Sequence, residues 1–300
     1  MIFNWTFTGT DPQKVKYFLN RQGISRTLLK KIKYHGGAIR VNDQDVTVLY
    51  LLRSGDRLTV LLPVEEPLER IVPSALPITV VYEDPHFLVV DKPAQVASLP
   101  AHLYPLDTMA NRVKGYYLRQ GYSNQVIHIV TRLDRGTSGL MLFAKHSYAH
   151  AVLDQELQHH QLHKTYLAFV AGQLVHDHQM ITFPIQREAG SFIKRTTGAS
   201  GRAAQTEYWC VRRFQNATLV KVQLHTGRTH QIRVHFTAIG HPLLGDHLYG
   251  GPQTEGLERP ALHCQQLRFY HPFLKREIKL TSALPDDLMA LEQSLANQSN

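Results

Sequence analysis

Three hundred residues with 43% hydrophobic content can bury a proper core, which excludes global disorder and suits two modest domains or one large domain with an appendage. The formal charge of +9, to which 18 histidines add in mild acid, favours a polyanionic partner, nucleic acid being the commonest, though an anionic membrane surface would suit it too. No apolar run nears the roughly 20 residues needed to span a bilayer, and MIFNWTFTGTDPQKVK lacks the basic-then-apolar pattern of a signal peptide, so a cytoplasmic chain with no membrane partner is expected.

Residues 1–62 hold ten basic residues against four acids, much of the total surplus. Lys14 to Asn20 and Ser25 to Tyr34 are predicted short helices, the second opening on a Ser25 cap with Leu28, Leu29 and Ile32 inward. Gly36-Gly37 makes a turn, and strands follow at Ala38 to Asn42 and Arg57 to Leu62 around a turn at Asn42-Asp43. Arg26, Lys30 and Lys33 share a helical face opposite the apolar one. Such a face is either merely solvated or a row of phosphate contacts. Residues 63–77, with four prolines, are expected to be a semi-extended linker between two domains, 1–62 and 78–300.

From Ile78, ITVVYEDPHFLVVDKP predicts two strands around Glu83-Asp84-Pro85, and Met109, Val113, Tyr116 and Tyr117 predict a helix over 106–120. The stretch Ile127 to Lys145, IHIVTRLDRGTSGLMLFAK, reads as strand, tight turn, strand. It sets Asp134 between Arg132 and Arg135, just before Gly136-Thr137-Ser138-Gly139. Ser147 can cap a helix carrying Ala149, Val152, Leu153 and Leu157, and HKTYLAFVAGQL returns to strand with Tyr166. Gln186 to Gln205 is a polar, glycine-bearing excursion, and TEYWCVRRF and ATLVKVQLHTG form a strand pair. THQIRVHFTAIG is a helix with Thr229 as its cap and Gly240 as its terminator. Strands at 262–270 and 277–281 and a helix at 285–295 close the chain. This order favours α+β over a doubly wound sheet.

Several chemistries fail on residue spacing. Asp134 has no adjacent acid, as a paired-carboxylate hydrolase would need. GTSGL has Leu140 where a nucleophile elbow requires glycine, and no glycine cluster ends in the Lys-Ser/Thr of a phosphate loop. His159 and His163 stand four apart without a Glu base between them, so a polar helix end is expected there and no metal. His225, His230 and His235 are read as lining a nucleic-acid surface or satisfied locally, and Cys210 and Cys264 as small buried thiols. Arg228 and Arg233 flank a helix start, where free amides favour an anion. Taken alone, Asp134 reads as a salt-bridge residue and the two arginines as solvent-facing.

Three segments together change that reading. TRLDRGTSGLMLFAK (131–145), KTYLAFVAG (164–172) and LHTGRTHQIRVHFTAIGHPLLGDHLYG (224–250) resemble the RluA-type pseudouridine synthase family, with support from VVYEDPHFLVVDKP (80–93) and LHCQQLRFYHP (262–272). SRTLLKKIKYHGGAIRVNDQDV and LLRSGDRLTV resemble the S-four-type RNA-binding module. The resemblance implies an α+β core with a mixed, mainly antiparallel bent sheet, an RNA partner (ribosomal most commonly, transfer RNA otherwise), no cofactor and a monomer.

It also implies roles for particular residues. Asp134 matches the catalytic carboxylate that lets uracil detach, rotate and rejoin the ribose through carbon 5, by attack on sugar or base or by elimination. Tyr166 matches the tyrosine that stacks on the base and is a candidate for taking the carbon 5 proton. Arg233 matches the partner of the carboxylate, Ile232 the apolar residue under the base, and Arg132 the arginine that fills the gap left in the RNA. Arg228 and the face of Arg26, Lys30 and Lys33 are expected to touch RNA. The chain departs from the family pattern at Thr131 (often His), at Gly136 (often Asp) and in residues 93–102. A non-catalytic RNA-binding or chaperone protein and a small-nucleotide hydrolase are the alternatives; tritium release from uridine-labelled RNA separates the first from an isomerase.

Overall fold

Every residue of Ser138–Ala144 is buried, as in a strand covered on both faces. Leu140, Leu142 and Ala144 join Phe87 and Val89 on one side with Ala149, Leu153 and Phe236. Met141 and Phe143 join Leu88 and Val90 on the other, against Met109, Val113 and Tyr117 of the helix Met109–Arg119. The computed structural model describes residues 1–66, 71–101, 104–158 and 161–298, with backbone alone in 154–158. Around this central strand it builds a ten-stranded sheet. The order runs from His178–Ile181 through Thr206–Arg213, Ala217–Leu224, His163–Ala171, Leu262–His271, Ser138–Ala144 and Phe87–Lys92 to Thr79–Glu83. Arg276–Thr281 and His128–Ile129 pair off this path.

Its pairings are antiparallel except where Ser138 and Gly139 run parallel to His263 and Cys264. That seam requires glycine: Gly139 has φ 110°, and a Cβ would stand 2.3 Å from the Cys264 carbonyl oxygen. The fold is therefore the expected α+β with a mainly antiparallel sheet.

A four-stranded sheet in the order Ile2–Thr6, Arg57–Leu61, Ala38–Val41, Gln44–Asp45 packs on the helices Val15–Arg21 and Arg26–Tyr34. Val15, Leu19, Leu28, Ile32, Leu58 and Val60 form its core. Ser25 caps the second helix, its Oγ accepting the Leu28 amide at 3.1 Å. The first strand is not legible in IFNWT, because outward Ile2 is as apolar as inward Phe3 and blurs the alternation. Phe3 meets Tyr148 edge-on at 4.8 Å, and the Tyr148 hydroxyl donates to the Gln22 carbonyl at 2.6 Å. The N-terminal core thus shares Tyr148 with the helix that covers the other face of the large sheet.

That helix, Ser147–Gln158, is capped one residue before the expected Ser147. His146 Nδ1 accepts the Ala149 amide at 3.1 Å, and burial pushes its pKa down to about 3, keeping that nitrogen free to accept. The Ser147 amide donates instead to Glu65 at 2.9 Å. Past the residues left undescribed, Lys114 and Asn111 donate to the Ile71 and Val72 carbonyls at 2.6 and 2.7 Å.

Burial raises the pKa of Glu65, but the hydrogen bond and charge of His128 and the Ser147 amide outweigh it and bring it down to about 2. Its contribution is therefore present above its ordinary 4.5 and lost as pH falls toward about 2. Glu65→Gln should cost about 1–2 kcal/mol at neutral pH, solvent screening taking up part of the shift, and flatten this acid limb. Urea unfolding across that range checks it; an unchanged stability–pH curve would refute it.

Candidate active site

The sheet order brings distant segments together. Leu262–His271 lies between His163–Ala171 and Ser138–Ala144. Tyr166, Leu262 and the turn carrying Asp134 therefore line one cleft, with the start of the helix Gln231–Ala238 as a further wall. The cleft holds about 580 Å³, and among the described residues lining it Asp134 is the only carboxylate, facing Arg132, Lys164, Arg228 and Arg233.

Asp134 opens a turn in which its carbonyl accepts the Thr137 amide at 3.1 Å. The turn is braced from several sides. Ser98 Oγ donates to the Leu133 carbonyl at 2.6 Å and accepts the Leu133 amide at 3.1 Å. Thr131 Oγ1 accepts the Leu142 amide at 3.0 Å, so this departure from the family pattern is a brace. A Cβ at Gly136 already lies 2.9 Å from Pro260 Cδ, which favours glycine where the family often carries Asp. Arg135 turns away from the carboxylate, stacking on Tyr104 with 4.6 Å to the ring centroid and donating to the Gln95 carbonyl at 3.1 Å. Arg132 is exposed where it lines the cleft.

Arg233 is not primarily the partner of Asp134. Its Nε and Nη2 donate to Asp246 at 2.6 and 2.7 Å, while Nη1 stands 3.9 Å from Asp134 Oδ2. The first is a buried bidentate pair; the second is too long for a hydrogen bond. A guanidinium has five N–H donors in a rigid fork, so one edge can hold Asp246 while the rest faces the cleft.

His230 is the neighbour that sequence reasoning did not place. It occupies the cap position expected of Thr229, in the left-handed region at φ 59°, with no side-chain cap bond. Its Nε2 lies 4.0 Å from Asp134 Oδ2, and its Nδ1 lies 2.8 Å from the Tyr249 hydroxyl. That hydroxyl accepts the Arg195 amide at 2.9 Å, which directs its proton to Nδ1 and leaves an Nε2–H toward Asp134. Burial lowers the His230 pKa against the opposing charge of Asp134, so the ring faces the carboxylate as a neutral dipole. Asp246 and Tyr249 stand in GDHLYG at the end of the third motif, the only signal that could have pointed to them.

Gln231 fixes the loop before the helix, its Oε1 accepting the Arg228 amide at 3.0 Å and the Thr226 hydroxyl at 2.8 Å. Arg228 Nε donates to the Ala203 carbonyl at 3.0 Å. Gly240, at φ 83°, ends the helix as expected. Tyr166 sits where the pairing of its strand with Leu262–His271 shifts register, a device that re-aims a side chain. Burial, then the neighbouring Cys264 and Asp134, push its hydroxyl well above the ordinary range, so it is a neutral phenol. Ile232 is buried on the cleft wall.

Other expected groups fall elsewhere. Arg26, Lys30 and Lys33 are exposed on the N-terminal helix and do not line the cleft. His159 lies outside the described residues, among which no three His, Cys, Asp or Glu side chains gather as a metal site would require. His235 is satisfied by Thr206 Oγ1 and the Phe183 carbonyl, and His225 by Glu207.

Residues 86–238 match the family model for RNA pseudouridylate synthase. The chain belongs to this family. An RNA pseudouridine synthase of Bacillus subtilis, named as uncharacterized YjbO, is 39% identical over 277 residues, covering 92% of this chain and 97% of the relative. Ribosomal large subunit pseudouridine synthase D of Xanthomonas campestris is 35% identical over 263 residues, covering 83% of this chain and 78% of that one. Human RNA pseudouridylate synthase domain containing 4 shares the fold, with a TM-score of 0.61 at 21% identity over 73% of this chain and 93% of that one. As an RNA pseudouridine synthase the chain is an isomerase that acts on uridine within RNA, and the cleft around Asp134 is where its matched segments converge.

Proposed function

We propose that this RNA pseudouridine synthase isomerises uridines of large-subunit ribosomal RNA, with Asp134 as nucleophile on a flipped-out nucleotide. One observation carries the assignment: a lone carboxylate stands in a cleft otherwise charged by cations. A uridine in a stem hides its glycosidic bond, so the nucleotide must swing out, and exposed Arg132 is placed to take up the vacated space. Tyr166 offers a ring for stacking and Ile232 an apolar support. Asp134 bonds to the nucleotide as the bond from N1 to the ribose breaks, the base turns, carbon 5 bonds to the ribose as Asp134 is released, and solvent takes the carbon 5 proton and returns one to N1. The neutral phenol of Tyr166 suits stacking better than accepting that proton.

Relatives named as large-subunit ribosomal synthases support the choice of RNA; transfer RNA is the other candidate. Residues 1–62 act as an S-four-type module that captures RNA through Arg26, Lys30 and Lys33. Their exposure on a Ser25-capped helix beside the turn at Gly36 supports this.

Mapping pseudouridines across the RNA of cells lacking the protein tests the target; losses confined to transfer RNA would overturn the ribosomal reading. Changing Arg26, Lys30 and Lys33 together to Gln should weaken RNA binding and lower its salt slope by roughly 2 to 3, with single-turnover chemistry on bound RNA retained. Unchanged affinity and slope would remove the module from RNA capture.

A further inference from the structure

We propose that a smaller cavity beside Asp134 is a subsite for the nucleotide next to the target uridine, in which Gln95 selects adenine. This rests on Asp134 being the catalytic carboxylate. The cavity holds about 200 Å³, and Asp134, Thr137 and Arg233 line both it and the catalytic cleft. An RNA strand that brings a ribose to Asp134 therefore carries a neighbouring nucleotide past this opening. The volume is below the roughly 300–1,000 Å³ of a site for a drug-sized molecule, which suits one planar base and not a longer segment. Leu248 and Pro260 supply apolar surface for the faces of a base, and Gln95 and Arg135 supply polar groups for its edge and its phosphate.

Gln95 is held there at a conformational cost. Its φ is 64°, in the left-handed region that glycine enters freely and a residue with a Cβ does not. It lies in residues 93–102, where the chain departs from the family pattern, and unfavourable backbone of this kind gathers at functional sites. Its Nε2 donates to the Glu258 carbonyl at 3.0 Å. A carbonyl only accepts, so the amide has one orientation. One N–H and Oε1 remain, and among the described residues neither has a partner. Together they match the N6 amino group and N7 of adenine, whereas the same edge of guanine offers two acceptors, O6 and N7. The Gln95 carbonyl accepts Arg135 Nε at 3.1 Å, and the Arg135 guanidinium lies over Tyr104. Its two Nη groups have no partner among the described residues and are free to hold the phosphate that joins the two nucleotides.

The experiment begins with total RNA from cells lacking the protein, treated with the full chain and sequenced for pseudouridine. Each modified uridine should have an adenine beside it. The modified RNA is then transcribed with that adenine changed to guanine, or made with purine, which lacks the amino group. Either change should lower kcat/KM of the unaltered protein by roughly 10- to 100-fold, the scale of one bidentate base contact. Gln95→Gly should bring the adenine and guanine RNAs to within about threefold of each other with a melting temperature equal or higher, because glycine relieves the left-handed backbone. Arg135→Gln should instead weaken binding of both RNAs alike and lower the salt slope by about 1. A modified uridine with no adenine beside it, equal turnover of the adenine and purine RNAs, or a Gln95→Gly protein that still discriminates overturns the proposal. Activity surviving in Asp134→Asn would sink the catalytic reading, whereas an inactive Asp134→Asn beside a Gln95→Gly that still discriminates sinks only the subsite.

Discussion

Asp134→Asn is expected to abolish pseudouridine formation while leaving the fold and RNA affinity nearly intact. The side chain is 32% exposed, and Arg233 and the neutral ring of His230 stand 3.9 and 4.0 Å away. An isosteric amide therefore removes no short hydrogen bond, and stability should change by no more than about 0.5 kcal/mol. The chemistry is different. A neutral amide is no nucleophile, so turnover should fall on the order of 10⁴-fold or more, as when one indispensable group is lost. Tritium release from uridine-labelled ribosomal RNA under enzyme excess isolates the chemical step, and a parallel binding titration measures capture. Activity within about tenfold of the unaltered protein would remove Asp134 from the mechanism.

The sequence already held the strand–turn–strand around Asp134 and the α+β class, because apolar runs punctuated by glycine and charge are local signals. It placed Arg26, Lys30 and Lys33 on an exposed face for the same reason. What it missed depended on partners chosen in three dimensions. Nothing near Asp134 announces Arg233 as a neighbour; the resemblance supplied it. The pair with Asp134 is there at 3.9 Å, but nothing in the sequence signals that buried Asp246 competes for the same guanidinium and holds it at 2.6 Å. His230 was read as one polar residue among several, since its left-handed backbone and its bond to Tyr249 leave no periodic trace. Ser98 belongs to a segment in which only departures were legible, and its bonds to Leu133 reach across the fold.

Asp246→Ala should be the most destabilising change at the site, for a reason specific to that competition. The side chains of Asp246 and Arg233 are 1% and 10% exposed. Removing the acid strands a buried guanidinium, which costs about 3–5 kcal/mol and lowers the melting temperature by roughly 10 °C. Among the described residues, the carboxylate that then pairs with the stranded Arg233 is Asp134, whose oxygen is already 3.9 Å from Nη1. It should swing onto Asp134 and pin it, so that kcat falls about 100-fold while RNA affinity holds. Adding Arg233→Met removes the stranded charge, and replacing both members of a buried pair by apolar groups is often nearly neutral. The double variant should therefore be more stable than Asp246→Ala alone, though still impaired in turnover. Thermal unfolding of the two singles and the double closes the cycle. If the two losses simply add, Asp246 and Arg233 do not act as a unit, and the aim of Arg233 toward Asp134 has to come from elsewhere in the cleft.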